Sequence, residues 1–85
     1  MDRLRDDLVA ETAKWAARLD AALRGVTAKD EEGERFLENI KAYRRDSDHF
    51  VTVGDLVRAF ECIVWAWAWI EIGRDAGHLA GVLPP

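Results

Sequence analysis

The chain predicts an all-α fold, a three-helix up-down-up bundle, and three observations carry that prediction. Apolar residues recur at helical spacing over three separate stretches, turn and capping residues fall between them, and the only two prolines are the terminal pair Pro84 and Pro85. With 85 residues, 49% hydrophobic and 33% charged, the chain reads as one domain, 1–85, with a dense core under a charged skin.

The first helix is predicted over 2–24. Its apolar stripe runs through Leu4, Leu8, Thr12, Trp15, Leu19, Ala22 and Val26, at spacings of three and four. Asp2, Asp6 and Asp7 place negative charge at its positive end. Gly25 fits the left-handed residue that closes a helix, with Val26 folding back behind it.

The second helix is predicted over 28–52, with Thr27 as N-cap and Asp30, Glu31 and Glu32 loading its start. Gly33 reads as a blemish there, costing about 1 kcal/mol against alanine. The inward face is Phe36, Leu37, Ile40, Tyr43, Ser47, Phe50 and Val51. Gly54 and Asp55 then make a tight helical hairpin, glycine closing one helix and aspartate capping the next.

The third helix, predicted over 55–76, organises the rest. Trp65, Trp67 and Trp69 alternate with alanines as a strand would, but the run continues backward through Leu56, Ala59, Phe60 and Ile63 at helical spacing. Leu56, Phe60, Ile63, Trp67 and Ile70 share one face, while Trp65, Trp69 and Ile72 lie nearly opposite. A helix apolar on both sides is buried twice, or it keeps a face for a partner. The predicted core is Leu8, Trp15, Leu19, Phe36, Ile40, Tyr43, Phe50, Phe60, Ile63, Trp67 and Ile70. The tail 78–85, with Leu79, Val82 and Leu83, is apolar enough to pack across the bundle end.

Several chemistries find no support. The net charge is −4, with 12 basic against 16 acidic side chains and no basic cluster, which argues against nucleic acid as a partner. The longest apolar run, 62–70, is far shorter than a membrane span, and the charged start MDRLRDD lacks the apolar segment of a leader. The lone Cys62 reads as a buried small hydrophobe, which suits a soluble protein of a reducing cytoplasm. Asp46 and His49 stand one turn apart but find no further ligands nearby, so no metal and no cofactor are expected. Glu71 is expected in an ion pair with Arg35 or Lys41 of the second helix. No serine–histidine–acid set or phosphate loop occurs, and the chain is not expected to be an enzyme. The Gly-Asp turn is similar to that of HEPN domains. Their ribonuclease members place an arginine and a histidine on one helix at a wider spacing than Arg74 and His78, between which Gly77 falls.

The second half resembles a known family through Tyr43, Asp46, Phe50, Gly54-Asp55, Ala59-Phe60, Trp65-Ala66, Ala68-Trp69-Ile70-Glu71, Gly73 and Gly77. The pattern, over about 34–79, is similar to that of the archaeal domain-of-unknown-function family 357. Trp65 stands where that family more often has tyrosine, and Glu71 where it has aspartate. The resemblance implies a small all-helical domain and brings no activity, cofactor or catalytic residue.

The expected function is a non-enzymatic interaction module. It would self-associate as a homodimer, or dock another protein, through Trp65, Trp69 and Ile72. The alternative is a small-molecule or nucleotide-binding accessory domain of an enzyme, its pocket near Gly33 and the end of the third helix.

Overall fold

The computed structural model describes residues 2–81, in the order α1 (Arg3–Gly25), β1 (Thr27–Ala28), α2 (Glu31–Thr52), α3 (Leu56–Asp75) and β2 (Leu79–Ala80). The helices run up, down and up, as expected. α3 lies between the other two, packed along α2 and across α1, while Arg44 reaches from α2 to Asp20 of α1.

Local chemistry explains each boundary. The Asp2 carboxylate accepts the amides of Leu4 and Arg5 and so starts α1. Gly25 does not close the helix in the left-handed conformation; it is the last helical residue, and Val26 beyond it is extended. The reason is β1. Thr27 and Ala28 pair antiparallel with Ala80 and Leu79, so Thr27 is a strand residue and not an N-cap. The cap of α2 is Asp30, whose carboxylate accepts the Gly33 amide at 2.8 Å, and the helix starts at Glu31 instead of position 28. Gly54, at φ 82°, turns the chain, and the Asp55 amide donates back to the Phe50 carbonyl. Asp55 then caps α3 through the Arg58 amide, so the Gly-Asp hairpin forms as its two residues require.

The interior is built from smaller residues than the aromatic pattern suggests. Along α3 the buried positions are Leu56, Ala59, Ile63, Ala66, Ile70 and Gly73, alternately large and small at spacings of three and four. Leu19, Ile40, Ile63 and Ile70 of the expected core are fully buried, whereas Leu8, Trp15, Phe36, Tyr43, Phe50, Phe60 and Trp67 are half-buried around its rim. The small positions let α2 come close enough for the buried Ser47 hydroxyl to donate to the Ala59 carbonyl at 2.8 Å. Such a bond tethers two helices where no large side chain could fit.

The tail divides in two. Leu79 is buried and joins the core through β2, whereas Val82 and Leu83 lie outside the described residues. The first turns of α1 extend past the core, where Leu4 is 68% exposed. An open groove of about 440 Å³ separates them from the α2–α3 turn, between Leu4, Leu8, Val53 and Val57.

Thr12 is buried, and its hydroxyl has no partner among the described residues. An unpaired buried hydroxyl costs about 1–3 kcal/mol, and valine has nearly its shape. Thr12→Val is therefore expected to stabilise the fold by about 1 kcal/mol, raising Tm by roughly 4–8 °C in a thermal melt. A lower Tm would show that the hydroxyl is satisfied.

Candidate association surface on the third helix

The three neighbouring tryptophans of α3 serve three different surroundings. Residues two apart on a helix point about 200° from one another. Trp67 accordingly faces α1, its indole N–H donating to the Trp15 carbonyl at 3.2 Å and its ring meeting the Trp15 ring edge-on at 6.2 Å. Trp69 turns toward α2 and packs edge-on against Phe36 at 5.4 Å, with His78 on the same phenyl ring. Trp65 has neither neighbour and stays half exposed.

The expected trio of Trp65, Trp69 and Ile72 is thus split. Trp65 and Ile72 are open to solvent, while Trp69 is half-buried against the rim of the core. Two residues missed at the sequence level join the open pair. Val57, Val64, Trp65 and Ile72 are 61%, 50%, 51% and 47% exposed, and all lie on the outer side of α3. Their spacing of seven, one and seven is itself a helical-face signal, overlooked because the tryptophans dominate the run. Glu61 and the half-buried Ala68 complete this face.

The residues weighed for metal binding or ion pairing lie apart from it. Asp46 and His49 are both exposed, and no group of three or more histidine, cysteine or acidic side chains gathers among the described residues. Glu71 is also exposed and makes no ion pair with Arg35 or Lys41; Arg35 pairs instead with Glu32. Cys62 is half-buried, and burial, reinforced by Asp46 and Glu61, pushes its thiol pKa up, away from nucleophilic thiolate. Arg44 bridges Asp20 and Asp48, and the Asp20 bond holds its guanidinium firmly protonated.

The region around Gly33 is closed rather than loose. A β-carbon placed there would lie 2.1 Å from the His78 carbonyl oxygen. That oxygen accepts the Lys29 amide at 2.9 Å, and the His78 ring meets the Asp30 carboxylate at 2.8 Å. The Gly33 amide, then His78, holds the Asp30 carboxyl below its usual pKa. The described residues do have a second groove, of about 290 Å³, between α1 and α2, lined by Val9, Ala13, Ala17, Ser47 and Val51.

The model of the family described as protein of unknown function, DUF357, matches residues 14–79. The chain belongs to this family. It is also similar to the crystal structure of a DUF357 protein from Archaeoglobus fulgidus, at 46% identity and a TM-score of 0.83, covering 93% of this chain and 99% of the other. No curated protein matches it. This DUF357 chain has no helix among its described residues long and apolar enough to cross a membrane.

Proposed function

We propose that this DUF357 chain is a non-enzymatic association module of an archaeal cytoplasm, docking through the outer face of α3. The observation that carries the reading is the row of Val57, Val64, Trp65 and Ile72, each about half exposed or more on one helix. A single exposed apolar residue is ordinary, but four on one face, one of them a tryptophan, have the makeup of a contact surface.

The test is the double substitution Trp65→Glu and Ile72→Glu. Both positions are exposed on the single chain, so helix content should be kept, and Tm should fall only by what the lost assembly contributed. Light scattering over a hundredfold dilution is expected to show an assembled wild type and a double variant at the monomer mass of 9.6 kDa. A variant that loses its helical signal would make this face part of the core. One that keeps the assembled mass would move association to another surface.

A further inference from the structure

We draw no further inference here: the strongest candidate, the small-residue groove between α1 and α2 above Thr12, carries nothing, because the unpaired Thr12 hydroxyl is sealed beneath it with no surface for a ligand to reach, and nothing in the structure shows what covers it.

Discussion

Gly33→Ala is expected to destabilise this protein by about 3 kcal/mol, although helix propensity alone argues for a gain of about 1 kcal/mol. Gly33 sits in the first turn of α2, and a methyl group there would lie 2.1 Å from the His78 carbonyl oxygen and 3.2 Å from the Ala28 α-carbon. Both obstacles are backbone, so no side-chain rotation relieves them. The His78 segment must lift, which breaks the hydrogen bond that the Lys29 amide donates to the His78 carbonyl and withdraws the His78 ring from Asp30. Overpacking of about 1–3 kcal/mol and the loss of hydrogen bonds worth about 1 kcal/mol each exceed the propensity term. A thermal melt should show Tm lower by roughly 12–24 °C. A Tm equal to or above wild type would mean that the segment yields freely.

Gly33 also marks where sequence reasoning stops. Helix propensity is a local property and ranks glycine as a defect, whereas the contact that requires glycine comes from His78, distant in the chain. The same holds for Gly25 and Thr27, whose capping roles were reasonable until β2 arrived to pair with β1. The Gly54-Asp55 hairpin, by contrast, involves only neighbours, and there the residues and the structure agree.

Ile70→Ala is expected to cost roughly 2–5 kcal/mol, read as a lower denaturation midpoint at an unchanged m-value. Ile70 is fully buried among the large members of the α3 seam, with Ala66 and Gly73 on either side. Those small neighbours cannot expand into the vacated volume, so the cavity persists and adds to the lost transfer energy. A domain of this size has about 4–13 kcal/mol in all, so the change removes a large fraction of it. Ile72→Ala, two positions on, is the internal control. That side chain is nearly half exposed on the single chain, so its loss should stay within about 0.5 kcal/mol when both variants are compared at a dilution where the chain is monomeric. Equal costs at the two positions would contradict the assignment of inner and outer faces.

The open face of α3 was half legible. Periodicity put Trp65 and Ile72 on the outer side of α3, and both are open. It also put Trp69 there, only about 40° from Trp65 on the helix, and no spacing rule separates the two. What separates them is that Phe36 of α2 stands level with one and not the other. Likewise the aromatic residues drew the eye for the core, while the alanines between them set how closely the helices approach. Size alternation on the buried side could have been read from Leu56, Ala59, Ile63, Ala66, Ile70 and Gly73, had the small residues been weighed beside the large.

The two-residue ladder has a consequence for the order in which the molecule assembles. It joins Ala28 to Leu79 across roughly fifty residues of intervening chain, whereas α2 and α3 meet across a turn of a few residues. Closing the short turn costs far less chain entropy, so the α2–α3 hairpin is the natural nucleus. The ladder can form only once that hairpin has carried Leu79 back beside Ala28. Those two strands therefore act as a latch: the helices collapse without it, and it shuts behind them.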